Sequence, residues 1–143
     1  MIRRIDENIS VAPQIPPELL PEIAAQGFAV VVNNRPDGEE PGQPESAEIA
    51  RAAAEAGLGY VEIPVTHAGI SSAQVEAMAA ALAAAPGPVL AFCRSGTRSC
   101  NLWALASASL KQGDAEALIG KAAGAGYDIS GLRPMLDTLS GRP

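Results

Sequence analysis

The sequence predicts a single-domain α/β fold, a parallel-sheet sandwich with helices on both faces. Short apolar, β-branched runs alternate with stretches of helical periodicity along most of the chain, the pattern of a mostly parallel sheet covered on both sides. A length of 143 residues suits one domain with a real core, residues 1–143, and no linker or internal repeat divides it. Apolar residues make up 48 % of the chain but aromatics only 3 %, so small alanine-rich helices are expected to pack close against the strands.

The elements follow in order. Residues 8–12 alternate loosely as an opening strand. Pro16-Pro17-Glu18 starts a helix, since proline and an acid favour a first turn. Leu19, Leu20, Ile23 and Ala24 form its stripe, and Gly27 stops it. Residues 28–32 form a buried strand. Residues 33–44 are polar and rich in Pro and Gly, a loop long enough to suggest a functional role. Helix returns over 45–56 and closes at Gly57. The next strand spans 60–65, with Pro64 near its end, where a lost donor is tolerated. Ser71-Ser72-Ala73-Gln74 has the spacing of a capping box, and the helix it opens runs to about residue 85, before Pro86-Gly87-Pro88. Residues 89–92 form another buried strand, followed by a loop at 93–98 and a helix from about 99 to 110. Two further helices fill 114–123 and 132–140.

Composition excludes several classes. The net charge is −6, with ten basic residues scattered along the chain, so nucleic acid is not an expected partner. Residues 1–7 lack the apolar run of a secretory signal. No stretch reaches the roughly 18 apolar residues that cross a bilayer, so no membrane is expected. Two cysteines make no disulfide framework, and a cytoplasmic protein with functional thiols is the expectation. With one histidine and two cysteines, no metal site and no cofactor are expected.

In an open parallel sheet, sites form at the carboxyl ends of strands. Three loops qualify, after residue 33, over 66–70 and over 93–98. Cys93 ends a buried strand just before a helix, among backbone N–H groups that lack helical partners and favour negative charge. Arg94 and Arg98 add positive charge, and both effects promote the thiolate, the nucleophilic form. Gly96 permits backbone angles that turn successive N–H groups inward as a nest. Ser99 is placed to bond the sulfur or to steady the loop. Cys93 and Arg98 are therefore the expected catalytic pair. Arg94, Ser95, Gly96, Thr97 and Ser99 are the expected anion cradle, with the Arg94 side chain free to point to solvent.

Asn34, Arg35 and Asp37 lie on the same edge of the sheet and are candidates to shape a pocket. Arg35 and Asp37 equally suit a pair that holds the loop. His67, the only histidine, is either an exposed loop residue or a proton donor to a leaving group. Cys100, seven residues after Cys93, reads as a packing residue beyond disulfide reach if the helix begins at Ser99. Trp103 reads as core.

The run Cys93-Arg94-Ser95-Gly96-Thr97-Arg98-Ser99 resembles the active-site loop of rhodanese-type sulfurtransferases, in which the cysteine carries a persulfide. Over residues 1–110 the chain is similar to the phosphatase-like domain family named after beta-lactamase hydrolase-like protein. The marks are Val32-Asn33-Asn34-Arg35-Pro36-Asp37-Gly38-Glu39, Ile63-Pro64-Val65, and the cysteine loop running into Asn101-Leu102-Trp103. This resemblance implies a fold like that of dual-specificity protein tyrosine phosphatases. Some members are fused to persulfide dioxygenases of the metallo-beta-lactamase fold, which implies such an enzyme as a partner.

Three departures bear on the activity. Cysteine phosphatases place five residues between nucleophile and arginine, whereas this chain has four, Arg94 to Thr97. They also carry His before the cysteine, where this chain has Phe92, and an aspartic acid from an upstream loop. The matching loop, Thr66-His67-Ala68-Gly69-Ile70, has no acid, and losing a general acid typically removes about 10²–10⁴-fold in rate. The first expectation is therefore a sulfurtransferase that carries sulfane sulfur on Cys93, with thiosulfate or a persulfide as donor. The alternative is a cysteine-dependent phosphatase acting on a phosphate ester. A third reading is an anion-binding or redox-sensing module without turnover.

Overall fold

The structure is a computed structural model that describes residues 1–141; Arg142 and Pro143, the end of the expected domain span, lie outside the described residues. The strands are β1 (Arg3–Arg4), β2 (Ile9–Ala12), β3 (Val30–Asn33), β4 (Gly59–Glu62) and β5 (Val89–Phe92). The helices are α1 (Leu20–Ala25), α2 (Ser46–Glu55), α3 (Ser72–Ala84), α4 (Thr97–Ser109), α5 (Ala115–Gly124) and α6 (Arg133–Ser140). Short 3₁₀ turns at Pro17–Leu19 and Ser130–Leu132 lead into α1 and α6.

The five strands form one sheet in the order β1-β2-β5-β3-β4. Every pair is parallel except the β1–β2 edge. β5 is central, buried at every position, as a strand covered on both faces requires. The pleat sorts its neighbours. Ile9, Val11, Val30, Val32, Val89 and Ala91 face a core closed by Val75 and Met78 of α3, Leu102 and Leu105 of α4, Leu118 and Leu136. Val31, Leu90 and Phe92 face the other core, against Leu20 and Ile23 of α1 and Ile49 and Ala53 of α2. Each fully buried Val, Leu, Ile, Phe or Met side chain among these contributes about 1.5–3 kcal/mol. Because β2, β3, β4 and β5 run the same way, their carboxyl ends, and the loops that leave them, share one edge of the sheet.

Boundaries differ from the sequence expectation where local chemistry overrides periodicity. β4 stops at Glu62 rather than running to Val65: Pro64 has no N–H, although the Ile63 and Val65 N–H groups still donate to the Asn33 and Asn34 carbonyls at 2.9 Å. β1 was not foreseen, because two arginines carry no hydrophobic alternation. α4 begins at Thr97, two residues earlier than expected, because Gly96 at φ +94° serves as its N-cap. The capping box at Ser71 is present in full: its hydroxyl accepts from the Gln74 N–H and the Gln74 side chain accepts from the Ser71 N–H. No helix among the described residues is long and apolar enough to cross a membrane.

Candidate active site

Cys93 leaves β5 with no exposed surface, its N–H tied to the Ala12 carbonyl at 3.3 Å. The chain then turns through Gly96, whose left-handed backbone aims its N–H at the Cys93 Sγ, 3.1 Å away. Ser95 stabilises the turn from its side chain: its hydroxyl donates to the Thr97 hydroxyl at 3.1 Å and accepts from the Thr97 N–H at 3.4 Å. The helix dipole and one directed N–H thus converge on the sulfur.

Arg98, in the first turn of α4, reaches back over the loop. Its Nη1 donates to the Val65 carbonyl at 2.6 Å and to Glu39 Oε2 at 2.7 Å, and its Nη2 donates to Glu39 Oε1 at 2.9 Å. This two-pronged pair fixes the guanidinium plane. The Glu39 bonds raise the Arg98 pKa above its ordinary value, burial opposes them, and the charge of the Cys93 sulfur adds to the rise. Cys93 and Arg98 therefore act on one another electrostatically. On the carboxylate side, Arg98 first, then Arg35, draw Glu39 down to about 2 against the resistance of burial.

The other candidates divide into scaffold and surface. Arg35 is 1 % exposed and donates to Glu39 at 2.8 Å, Glu40 at 3.0 Å and Gln14 at 3.1 Å. It is a buried strut beneath Glu39 rather than a pocket wall. The expected Arg35–Asp37 pair is not formed. Asp37 instead accepts from the Ser46 N–H at 2.8 Å and satisfies the start of α2. Asn34, fully buried, donates to the Ile63 carbonyl at 2.9 Å and accepts from the Ser99 hydroxyl at 2.8 Å, so Ser99 steadies the loop and does not bond the sulfur. Arg94 is exposed, 3.8 Å from Glu40. His67 is exposed and has no hydrogen-bond partner among the described residues.

Cys100 packs in the core; burial, and then the charge on Cys93, push its thiol up to about 12. It stays protonated at neutral pH and unreactive. Trp103 is core as expected. Among the described residues no group of three or more His, Cys, Asp and Glu could hold a metal ion.

Two contributors were not foreseen. Glu39 closes one of the runs that carry the family resemblance, but as a charge in a Pro/Gly-rich loop it had no role assigned. Tyr127, just beyond α5, donates its hydroxyl to the Ser95 carbonyl at 3.1 Å and lies against Gly96, where an added Cβ would collide with that hydroxyl. Gly96→Ala is therefore expected to lose the loop geometry twice over, through its left-handed φ and through Tyr127. Activity should fall by at least about tenfold, with about 1–3 kcal/mol lost in denaturant titration. The double variant Gly96→Ala/Tyr127→Phe should recover part of both. Equal damage in the single and double variants would show that the tyrosine does not shape the loop.

A largely parallel sheet with helices on both faces, and a cysteine–arginine loop at its carboxyl edge, is the architecture the chain shares with solved protein tyrosine phosphatase-like proteins. Residues 1–110 match the model of the beta-lactamase hydrolase-like protein, phosphatase-like domain, and the chain belongs to that family. The beta-lactamase hydrolase-like protein of Agrobacterium fabrum is 43 % identical over 105 residues, 73 % of this chain but 24 % of that protein. The chain thus spans about a quarter of the length of that relative. The crystal structure of a candidate phosphatase from Neisseria meningitidis superimposes with a TM-score of 0.82 at 34 % identity, covering 96 % of this chain and 97 % of the other. The structure of Tk-PTP in its active form shares the fold, with a TM-score of 0.75 at 19 % identity over 99 % of this chain and 97 % of that one.

Proposed function

We propose that this protein is a cysteine-dependent phosphatase-type hydrolase acting on phosphate monoesters, with Cys93 as nucleophile and Arg98 as anion clamp. The observation that supports it most is the convergence of the Gly96 N–H, at 3.1 Å, and the Glu39-held Arg98 on one buried sulfur. The Cys93 thiolate attacks phosphorus, and the ester P–O bond breaks as the leaving oxygen departs with the bonding pair. Water then cleaves the S–P bond, releasing phosphate and restoring the thiolate. Arg98 and the loop N–H groups, from Arg94 to Ser99, balance charge on the phosphoryl oxygens. The family and its solved relatives are phosphatase-like, which favours this reading over the sulfur transfer ranked first from the sequence. Nothing in them supports a persulfide dioxygenase partner.

The leaving oxygen needs a proton, and the nearby acids are poor sources. Glu39 is held ionised, at about 2, and the loop over 66–70 carries no carboxylate. Leaving groups that depart without a proton are therefore the expected substrates. Phenols, with a pKa near 10, qualify far better than alcohols. Turnover of p-nitrophenyl phosphate and phosphotyrosine should exceed that of phosphoserine by about 10²–10⁴-fold, the share a general acid supplies. Comparable rates on both would point to a proton donor, with His67 the first to replace.

Sulfur transfer stays as a second reading on one observation: four residues separate Cys93 from Arg98, and the sulfur between them is fully buried. A single sulfane sulfur asks for less space than a phosphoryl group. Incubation with thiosulfate, read by mass spectrometry for one added sulfur on Cys93, separates the two. Sulfur uptake without aryl phosphate turnover would overturn the phosphatase proposal. Inactivity on both with retained anion binding would leave a binding module.

A further inference from the structure

A cavity of about 550 Å³ opens at the end of the sheet opposite Cys93. Ile9 and Val89, the first residues of β2 and β5, form its floor, whereas Cys93 follows the last residue of β5. Its volume lies in the range of small-molecule sites. Two of its lining residues, Trp103 and Ser107 of α4, are only 3 % and 4 % exposed, yet neither side chain has a hydrogen-bond partner among the described residues. No described side-chain nitrogen or oxygen that is sealed from solvent lacks a partner. The indole N–H and the Ser107 hydroxyl therefore reach solvent, and this cavity is where both residues meet it. Buried donors and acceptors kept open in this way await a ligand or water.

The chemistry of the walls narrows the ligand. At the rim, the Asn8 and Gln112 side chains are exposed and also lack hydrogen-bond partners among the described residues. Asp6 and Lys121 pair at 3.0 Å, and Asp6 Oδ1 is further occupied by the Asn8 and Ile9 N–H groups at 2.8 and 3.2 Å. The two charges cancel, so neither an anion nor a cation finds an uncompensated partner. The amides of Asn8 and Gln112 and the hydroxyl of Ser107 each both donate and accept. Groups that match this dual character are hydroxyls, and the Leu82 side of the wall offers an apolar surface to C–H faces. We propose that this cavity binds a small neutral polyhydroxylated molecule of monosaccharide size, independently of the Cys93 site.

Trp103 is the only tryptophan in the chain, so indole emission follows a residue that lines this cavity. The test titrates the full chain with glucose, galactose, ribose and myo-inositol, following indole emission and repeating each positive by calorimetry. Glucose 6-phosphate and adenosine serve as charged and heteroaromatic arms. The expected result is a saturable change with at least one neutral polyol. It should be retained in Cys93→Ser and weakened about five- to tenfold in Asn8→Ala and Gln112→Ala, each of which removes a hydrogen-bonding group. Both positions are at the exposed rim, so these variants should fold even if Ser107→Val does not. Absence of saturable binding by every neutral polyol would overturn the proposal. So would binding confined to the phosphate or to adenosine, or polyol binding unaltered in both rim variants.

Discussion

Cys93→Ser is expected to lose aryl phosphate turnover by roughly 10⁴-fold or more, while folding and binding anions nearly as well as the parent protein. A serine hydroxyl is a far weaker acid than a thiol, and neither a directed N–H nor a guanidinium makes it a useful alkoxide without an adjacent base. No such base is bonded to Cys93 among the described residues: the sulfur accepts from the Gly96 N–H at 3.1 Å, and the charge that acts on it is the Arg98 guanidinium. The fold should survive because oxygen is smaller than sulfur and can accept the same Gly96 N–H. The stability change should stay within about 1 kcal/mol. Anion binding should survive because Arg98 is held by Glu39 and the Val65 carbonyl, not by the sulfur. Steady-state turnover, denaturant titration and vanadate or phosphate affinity check the three parts together. Retention of more than about a hundredth of the parent rate would show that another residue carries the covalent chemistry.

The contrast between Cys93 and its supports explains what the sequence could disclose. A β-branched run, a glycine and a helix are local signals, so the strand–loop–helix unit from Val89 to Leu110 was legible, as was the Ser71 capping box. The site depends on more than that. From the sequence, Arg35 and Asp37 lie on the right edge of the sheet and suit a pocket wall and a mutual pair that holds the loop equally well. Which charges in that loop turn inward is settled by its path through Gly38, at φ +77°, and by a helix 59 residues later in the chain that presents Arg98 to Glu39. Charge patterning along the sequence has no access to that geometry. Tyr127 is a still longer-range case, from beyond the residues that match the family. The two arginines of β1 show the same limit at the sheet edge, where backbone pairing with Ser10 and Val11 rather than side-chain pattern makes the strand.

Glu39→Gln should be damaging both to stability and to rate. The carboxylate receives Arg35 and Arg98 together, at 2.8, 2.7 and 2.9 Å, and the side chains involved are 1 %, 12 % and 16 % exposed. An amide keeps the shape but sets an NH₂ donor against guanidinium donors. Breaking a buried pair from one side costs about 3–5 kcal/mol. Arg35 keeps Glu40 and Gln14, so about 2–3 kcal/mol is expected. Acid should expose the same interaction. Glu39 titrates at about 2 in the fold against an ordinary 4.5, so the folded state is favoured by up to about 3 kcal/mol above pH 4.5. That stabilisation is lost as pH falls from there toward 2, because the unfolded chain takes up the proton first. Stability measured across that window should decline less steeply in the glutamine variant than in the parent, a difference that a merely tolerated surface pair would not produce. The rate should fall by about 10²-fold, through kcat more than KM, because a guanidinium freed from its two-pronged clamp still attracts the anion but no longer faces its transition state at a fixed angle. Glu39→Asp, which retains the charge on a shorter arm, should recover part of both losses. Full activity in the glutamine variant would mean that the Val65 carbonyl alone suffices to position Arg98.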